Sequence, residues 1–210
     1  DDDRDEFVKT ELEPALRDVP AMQTVFPAFL RRDKDNTLQA KKFLGSILHL
    51  KGGKAAKNYR RISIDTGYLD EYDAFDSNIE KEGDPGTLAA KRVEGATFGK
   101  MVFASTPKLK GFSNIEKRER DAELQVTPMI PCPECGGFHA LTFGGEHEPH
   151  GFKWTDGDPR AVRHLCPHCG ALITQAEYLA LADPEACRYQ AEDGTTLDRR
   201  GVFRSASGEI

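Results

Sequence analysis

The chain has 210 residues, of which 38% are hydrophobic and 30% are charged, and its formal net charge is −6 at pH 7. These proportions are typical of a globular protein, and the acidic balance argues against a protein that coats nucleic acid over its whole surface. No run approaches the roughly 18 consecutive apolar residues of a transmembrane helix, so we expect no membrane partner. The chain begins at Asp1 with neither Met nor a signal sequence, and we expect it to be part of a longer protein.

The charge is distributed unevenly along the chain. Residues 1–30 carry three basic and eight acidic side chains, whereas residues 31–61 carry ten basic and two acidic ones. A local excess of positive charge attracts phosphate even on an acidic protein, so this basic segment is a candidate contact for DNA. A solvated basic face is the alternative interpretation. The basic residues are Arg31, Arg32, Lys34, Lys41, Lys42, Lys51, Lys54, Lys57, Arg60 and Arg61.

The apolar patterns predict an alternation of strands and helices. In chain order they indicate a helix over 7–19, a buried strand at Ser46–Leu50, a brief helix at Lys54–Arg60 and an alternating strand that starts near Arg61 and ends at Leu69. Asp84 is a good N-cap and Pro85 a good first residue for a helix that ends at Gly95. Met101–Ala104 is a second buried strand. Such alternation predicts an α/β fold with a parallel sheet.

Two acidic residues, Asp70 and Glu71, follow the predicted strand that ends at Leu69. Ligands of open α/β sheets bind at the carboxyl ends of the strands, and neighbouring carboxylates there suit nucleotide hydrolysis. We expect Asp70 to hold Mg²⁺ through water and Glu71 to orient or deprotonate the attacking water. Acidic pairs are common in surface loops, so the pair by itself leaves a purely structural role open.

Two hydroxyl side chains, Ser105 and Thr106, follow the next predicted strand, 34 and 35 residues after Glu71. If the two strands are neighbours, a hydroxyl group lies beside the acidic pair, where it can sense the γ-phosphate and pass its loss to a moving element. A simple strand end at Ser105-Thr106-Pro107 is the alternative. The order strand, acidic pair, helix, strand, hydroxyl pair resembles the additional-strand class of P-loop NTPases.

No phosphate-binding loop of the form G-x-x-x-x-G-K-[ST] occurs in the sequence. Lys51–Lys54 and Gly99-Lys100 are too short to surround phosphates. Because this loop precedes the acidic pair in the P-loop class, we expect it to lie upstream of Asp1 in a longer protein. A search of the upstream reading frame would therefore separate an ATPase from a protein without enzymatic activity.

Cysteines form two matching motifs, Cys132-Pro133-Glu134-Cys135-Gly136 and Cys166-Pro167-His168-Cys169-Gly170, with 30 residues between Cys135 and Cys166. Such CPxCG turns each present two thiolates to one tetrahedral ion, which predicts a structural Zn²⁺ held by Cys132, Cys135, Cys166 and Cys169. We expect the glycine after the second cysteine of each motif to free backbone N–H groups that donate to sulfur. A disulfide pair or a redox motif is the alternative, and Cys187 stands apart.

The histidines near these motifs are weaker candidates for zinc ligands, since the cysteines already complete a set. They are His139, His147, His150, His164 and His168.

We expect Trp154 to pack within the small zinc module and not to stack on a base. Leu141–Phe143 and Phe152–Trp154 are expected to pair as a hairpin, and Asp73 is expected to be a structural carboxylate and not a metal ligand.

Several blocks of residues, taken together in order, resemble the lambda-type phage terminase large subunit. The resemblance covers nearly the whole chain from about residue 31 onward. The blocks are Lys54–Arg60, Gly67–Glu71, Ala74–Asp76, Glu82–Pro85, Lys91-Arg92, Ser105–Pro107, Ile130–Pro133, Gly151–Trp154 and Ser205–Ile210.

The resemblance implies a bacteriophage motor that acts in the host cytoplasm and translocates double-stranded DNA into a procapsid. It implies that Asp70 and Glu71 are the Walker B pair and that Ser105 and Thr106 are the coupling motif, with ATP and Mg²⁺ as cofactors. The implied partners are DNA, the terminase small subunit, the procapsid portal and further copies of the subunit in a ring. The complete protein would also be a DNA-cutting endonuclease, and we expect that activity to lie outside this chain. The candidates for an arginine finger are Arg60, Arg61 and Arg92.

These observations predict a partial P-loop NTPase of the additional-strand class with a small zinc-ribbon module. We expect an ATPase core at 1–128, the zinc ribbon at 129–190 and a return segment of the core at 191–210. Without a phosphate-binding loop, we expect the chain to be inactive alone. The alternative is a non-enzymatic zinc-ribbon adaptor that binds nucleic acid or protein, and a helicase-like remnant around Asp70–Asp73 is a third interpretation.

Overall fold

The computed structural model describes residues 2–30, 34, 36–145, 147–181, 187–197, 202–205 and 207. Arg31 and Arg32 of the basic segment, and most of the Ser205–Ile210 block, lie outside these residues. The chain divides into two compact units, Asp1–Arg118 and Glu119–Ile210. Within the described ranges, no helix has the length and apolar character needed to cross a membrane.

The first unit begins with short helices whose apolar faces pack together. They are α1 (Asp2–Phe7), a π-helical turn (Val8–Leu12), α2 (Glu13–Asp18), α3 (Pro20–Val25) and α4 (Pro27–Leu30). Val8 and Leu16 are fully buried, which agrees with the helix predicted over 7–19. The helical path breaks at Val19 because the residue before a proline disfavours helical backbone angles.

An antiparallel hairpin of β1 (Ala40–Phe43) and β2 (Ser46–His49) follows. The predicted strand is present, but its predicted burial is wrong, since Ile47 is 50% exposed. A two-stranded hairpin buries at most one face. The buried residue is Lys41 of the neighbouring strand, whose ammonium lies 2.6 Å from a carboxylate oxygen of Glu13. Lys41 is therefore not part of an exposed basic surface.

A β-α-β unit forms the centre of the first unit. It consists of β3 (Thr66–Leu69), α5 (Pro85–Ala90) and β4 (Lys100–Phe103), with single 3₁₀ turns at Ala56–Tyr59, Tyr72–Ala74 and Ile79–Lys81 and with α6 (Asn114–Arg120) after it. The two strands pair in parallel, with Leu69 opposite Phe103, which confirms the predicted parallel pairing. The strand starts at Thr66, five residues later than the alternation from Arg61 suggested.

The alternating burial of β3 explains its packing. Gly67 and Leu69 are buried whereas Tyr68 is exposed. A side-chain carbon at Gly67 would lie 2.5 Å from the sulfur of Met101, so a larger residue there would require the Met101 side chain to move. Leu69, Tyr72 and Ala89 form the core of this region, against which Met101 and other apolar residues pack.

The described residues of the second unit after Arg120 form antiparallel strands, most of them short, and a helix. They are β5 (Thr127–Pro131), β6 (Phe138–His139), β7 (Gly151–Thr155), β8 (Asp158–Leu165), β9 (Leu172–Ile173), α7 (Gln175–Ala180), β10 (Arg188–Gln190), β11 (Thr196–Leu197) and β12 (Phe203–Arg204). One sheet has the order β12-β11-β10-β5-β6 and the other β7-β8-β9.

The predicted hairpin between Leu141–Phe143 and Phe152–Trp154 is wrong. The backbone N–H of Phe152 does donate to the carbonyls of Thr142 and Phe143, but β7 pairs with β8. The turn at Gly157 has a positive φ of 78° and joins these two strands directly. The fold is thus mixed α/β, with a parallel strand pair in the first unit and antiparallel sheets in the second.

Candidate functional site

The acidic pair lies on the turn that follows β3. Both Asp70 and Glu71 are exposed, whereas Leu69 and Tyr72 on either side are buried. The carboxylate of Asp70 accepts a hydrogen bond of 3.1 Å from the backbone N–H of Glu71. Glu71 has a φ of 51° and a ψ of 45°, a left-handed conformation that costs a non-glycine residue free energy. The two buried neighbours therefore fix a turn that leaves both carboxylates in solvent.

Parallel pairing brings the end of β4 against this turn. The N–H of Ala104 donates to the carbonyl of Leu69, and the N–H of Tyr72 donates to the carbonyl of Ala104, each over 3.0 Å. The hydroxyl oxygen of Ser105 then accepts a 3.0 Å hydrogen bond from the N–H of Asp73. Ser105 is thus attached to the turn that carries Glu71. The Thr106 side chain is exposed and, within the described ranges, forms no hydrogen bond to the acidic pair.

A polar network behind the turn holds it in place. The hydroxyl of Tyr72 donates to Asp84 over 2.8 Å, and the guanidinium of Arg118 donates to the same carboxylate over 3.2 Å. The guanidinium also lies 4.3 Å from the ring centre of Phe103, a cation–π contact. Asp84 caps α5 by accepting from the N–H of Thr87 over 2.7 Å, which confirms its predicted role as N-cap.

The charges of this network favour an ionised Asp84. Burial opposes ionisation of Asp84, but hydrogen bonds from Tyr72 and Thr87 and the positive charge of Arg118 outweigh it, so the pKa of Asp84 is lowered. Burial raises the pKa of Tyr72, which keeps its hydroxyl a donor. Sequence reasoning missed Tyr72 and Arg118 as parts of the site. Arg118 lies 46 residues from Tyr72, and no local pattern marks such a contact.

None of the arginine-finger candidates forms a described hydrogen bond or ion pair with the acidic pair. Arg60 pairs with Glu82, and Arg61 is exposed. The carbonyl of Arg92 accepts from the N–H of Ile64 over 3.0 Å, which ties the segment after α5 to the approach to β3. The backbone hydrogen bond of Arg92 thus fixes its position beside the segment that leads into β3.

The second candidate site is the cysteine cluster of the second unit. The sulfur atoms of Cys132, Cys135, Cys166 and Cys169 all lie within 4.8 Å of one another. The first cysteine of each motif is buried, and the second is exposed. Four sulfur donors at this separation suit one tetrahedral metal ion. The predicted set of ligands is therefore brought together, although the motifs are 30 residues apart.

The two motifs fold into matching turns. Gly136 and Gly170 have φ angles of 71° and 73°, which favour glycine. Each glycine N–H donates to the carbonyl of the first cysteine of its motif, over 2.8 Å and 3.1 Å. Backbone N–H groups of these turns donate to sulfur, as expected. The N–H of His168 donates to Cys166 over 3.4 Å, and the N–H of Ala171, directly after Gly170, donates to Cys169.

The cluster favours a thiolate at Cys166. Burial opposes ionisation of Cys166, but N–H donors of Cys169 and His168 and the neighbouring thiols outweigh it and lower its pKa to about 7. Burial raises the pKa of Cys132, which is the other buried member of the set. Metal ligation requires deprotonated sulfur, and the hydrogen bonds at Cys166 supply it for that residue.

Two buried histidines support the cluster and do not replace a cysteine. The rings of His139 and His164 stack with centres 5.3 Å apart, and both rings bond the hydroxyl of Tyr178, over 2.9 Å and 3.1 Å. The helix carrying Tyr178 begins with a capping box between Thr174 and Glu177. Burial, followed by the charges of His139 and His150, lowers the pKa of His164, which favours its neutral form.

The other candidates have peripheral positions. His168 bonds the carbonyl of Phe138 over 2.9 Å, which links the second cysteine motif to the strand after the first. Trp154 is 46% exposed and packs against the Phe143 ring with centres 5.8 Å apart. Trp154 thus packs against a residue of its own unit, as predicted, but it does so at the surface of that unit.

Comparisons with known proteins point to a single family. The family model described as the ATPase domain of the phage terminase large subunit gpA matches residues 1–186. A terminase large subunit of Enterobacteria phage P21 is 40% identical over 207 residues, which are 98% of this chain and 32% of the relative. That of Escherichia phage lambda is 39% identical over 211 residues, which cover 100% of this chain and 32% of the relative. No solved structure matches the chain.

The β-α-β unit with its acidic strand end therefore lies within the segment that the model of this ATPase domain matches. The chain is a member of the phage terminase large subunit family, which confirms the resemblance drawn from the residue blocks. It spans about a third of the length of the relatives it matches, as their 32% coverage shows.

The network around Asp84 predicts a measurable loss of stability. Asp84→Ala removes a helix cap and leaves Tyr72 and Arg118 without their shared acceptor. We therefore expect it to lower the free energy of unfolding by about 1–3 kcal/mol. The loss is to be measured by urea unfolding followed by far-ultraviolet circular dichroism. Because the folded pKa is lowered, the difference from wild type should be full above about pH 4 and shrink as pH falls through the folded pKa.

Asp65→Ala is the matched control, since Asp65 is exposed and its contact to β4 is made by its backbone carbonyl. Equal stability of both variants would show that the network does not stabilise the turn.

Proposed function

We propose that this chain is the ATPase part of a motor that translocates double-stranded DNA into phage procapsids. The observation that supports it most directly is the meeting of Asp70, Glu71 and Ser105 at the carboxyl ends of two paired parallel strands. A helix lies between these strands in the chain, as the P-loop class requires, and family membership supplies the context. In this proposal the core comprises 1–128 and 191–210, and the zinc ribbon comprises 129–190.

The acidic pair fits a magnesium–nucleotide complex. Its oxygen donors are of the kind that Mg²⁺ prefers, and both carboxylates are exposed. When bound, Mg²⁺ neutralises charge on the phosphates. Asp70 would hold the ion through water, and Glu71 would orient and deprotonate the attacking water. Ser105 would respond to the loss of the γ-phosphate through its bond to the turn, with Thr106 beside it.

The cysteine cluster fits a structural Zn²⁺. The four sulfur donors are a soft set with tetrahedral spacing. Apart from these cysteines, the buried apolar core of this region contains only Ile173 among the described residues. Zinc would therefore supply folding free energy that apolar burial does not.

The exposed lysines of the basic segment are the proposed DNA contact. Lys51, Lys54 and Lys57 are exposed on the segment that precedes β3. Neutralising phosphates with such side chains releases counterions and is independent of base sequence, which suits a motor that moves along any sequence. The partners in the full-length protein would be the small subunit, the portal and further copies in a ring, in the host cytoplasm. DNA cutting would reside in the further length that the relatives have.

The zinc-ribbon adaptor is the second candidate function, supported by the self-contained cysteine cluster alone. It leaves the acidic turn and its attachment to Ser105 without a role. Membership in a family whose model describes an ATPase domain favours the motor.

Glu71→Gln tests the enzymatic proposal. In the full-length protein we expect ATP hydrolysis to fall by at least about a hundredfold, because the amide cannot accept the proton of the attacking water. Nucleotide affinity should remain within about threefold of wild type, since the lost group acts on water and not on the nucleotide. Phosphate release and binding of a fluorescent ATP analogue are the measurements. Glu94→Gln, at an exposed position after α5, is the control, and normal turnover in Glu71→Gln would remove the catalytic role.

Metal analysis tests the zinc proposal. The purified chain should contain about one zinc per molecule by mass spectrometry of the metal, and Cys132→Ser or Cys166→Ser should lose it. Cys187→Ser should keep it, because Cys187 lies outside the cluster. Chelation should also unfold the second unit. Retention of zinc in both cluster variants would contradict the assignment.

Salt dependence of DNA binding tests the basic segment. Replacing Lys54 and Lys57 together by Ala should weaken duplex binding and reduce the slope of log affinity against log salt by about two. Fluorescence anisotropy of a labelled duplex between low and physiological salt gives this slope. Lys9→Ala, within the acidic first helices, serves as the control, and an unchanged slope in the double variant would place the DNA contact elsewhere.

A further inference from the structure

A loop with an unusual surface joins β4 to α6. This connecting loop, residues 106–113, exposes Leu109 by 63% and Phe112 by 84%, and Lys108 and Lys110 are exposed beside them. Exposed apolar side chains of this size gain nothing from folding of the unit itself. The loop starts at the proposed coupling motif, so its attachment to the rest of the site decides whether it can respond to hydrolysis.

The loop has a defined internal structure. The N–H of Phe112 donates to the carbonyl of Leu109 over 3.0 Å, and Gly111 between them has a positive φ of 81°. The N–H of Gly111 donates to the Glu116 carboxylate over 2.8 Å. The tip is thus a closed turn that is tied to the first turn of α6.

One carboxylate bonds both the start of this loop and the first turn of α6 after it. The side chain of Asp73 accepts from the N–H of Lys108 over 3.1 Å and from the N–H of Ile115 over 2.8 Å. The buried side chain of Ser113 donates to it as well. Burial opposes ionisation of Asp73, but these donors outweigh it and lower the pKa of Asp73. Hydrogen bonds to an ionised acceptor are stronger than bonds between neutral groups.

The same residue is bound rigidly to the acidic turn. Asp73 lies two residues after Glu71, and its N–H donates to Ser105 at the other end of the site. Tyr72 between them is 2% exposed and is held by the network with Asp84. The 3₁₀ turn Tyr72–Ala74 is thus held directly after Glu71, and its Asp73 side chain links it to the loop.

We propose that Asp73 is the positioning residue that couples the acidic turn to the connecting loop, so that hydrolysis at Glu71 displaces the exposed loop. This inference rests on the proposed function for its coupling part, whereas the attachment of the loop by Asp73 is independent of it. The sequence predicted Asp73 to be a structural carboxylate, and in this proposal the structure that it holds is the connecting loop.

The attachment is tested by hydrogen–deuterium exchange in the full-length protein. In Asp73→Ala the amides within 106–115 should exchange about tenfold faster than in wild type, because the acceptor of two of them is gone. Asp76→Ala is the matched control, since Asp76 is an exposed acid of the same segment and should leave this exchange unchanged. Asp73→Asn keeps one carbonyl acceptor and should give an intermediate rate. It also decides the question if Asp73→Ala does not fold.

The coupling is tested by the ratio of DNA translocated to ATP hydrolysed. In Asp73→Ala we expect the KM for ATP to stay within about twofold of wild type, whereas the length of DNA packaged per ATP should fall by at least about fivefold. A merely structural defect would lower hydrolysis and packaging together and leave their ratio unchanged.

Three outcomes separate the two proposals. Faster loop exchange with a lower ratio supports the role of Asp73, and unchanged exchange or an unchanged ratio overturns it. A wild-type protein that does not hydrolyse ATP overturns the proposed function and the coupling with it, while the exchange rates still decide whether Asp73 holds the loop.

Discussion

The parallel hydrogen bonds between Thr66–Leu69 and Lys100–Phe103 determine the geometry of the candidate ATPase site. They join segments more than thirty residues apart in the chain, and they continue past the strands through the bonds of Leu69, Tyr72 and Ala104. Because successive backbone bonds fix the register, the acidic turn and the end of the next strand can meet in only one way. Ser105 consequently reaches the turn without any direct attraction to Asp70 or Glu71.

Hydrogen bonds of buried polar groups fix the acidic turn, in addition to the pairing of the short strands. The first unit has few fully buried apolar side chains around β3 and β4, and each strand has only four residues. The contacts of Asp84 with Tyr72 and Arg118 and those of Asp73 with the connecting loop satisfy buried donors and acceptors on both sides of the turn. Such contacts are directional, so they specify one arrangement of the turn in a way that apolar packing alone does not.

In the second unit, contacts between cysteine sulfur atoms add to limited apolar packing. Most of its strands are short, and its cysteines bring together two turns that share no continuous strand. Around them, His139, His164 and Tyr178 form a closed set of hydrogen bonds and ring contacts. These groups orient the segments that carry the cysteines, which is the usual task of residues surrounding a metal site. The cysteines therefore account for only part of the arrangement of these turns, and the histidine–tyrosine set contributes to it as well.

Local patterns were sufficient to predict the four candidate metal-binding cysteines and the N-cap at Asp84, because each CPxCG motif and each helix start involves residues within a few positions of one another. The acidic pair and the hydroxyl pair were marked by their positions after two apolar segments, although 34 residues separate Glu71 from Ser105. The partners of Tyr72, Asp73 and Arg118, the burial of Lys41 against Glu13 and the pairing of β7 with β8 were decided only by the tertiary structure. These contacts join distant segments, and a side chain's charge or polarity does not reveal which distant donor or acceptor will face it once the chain is folded.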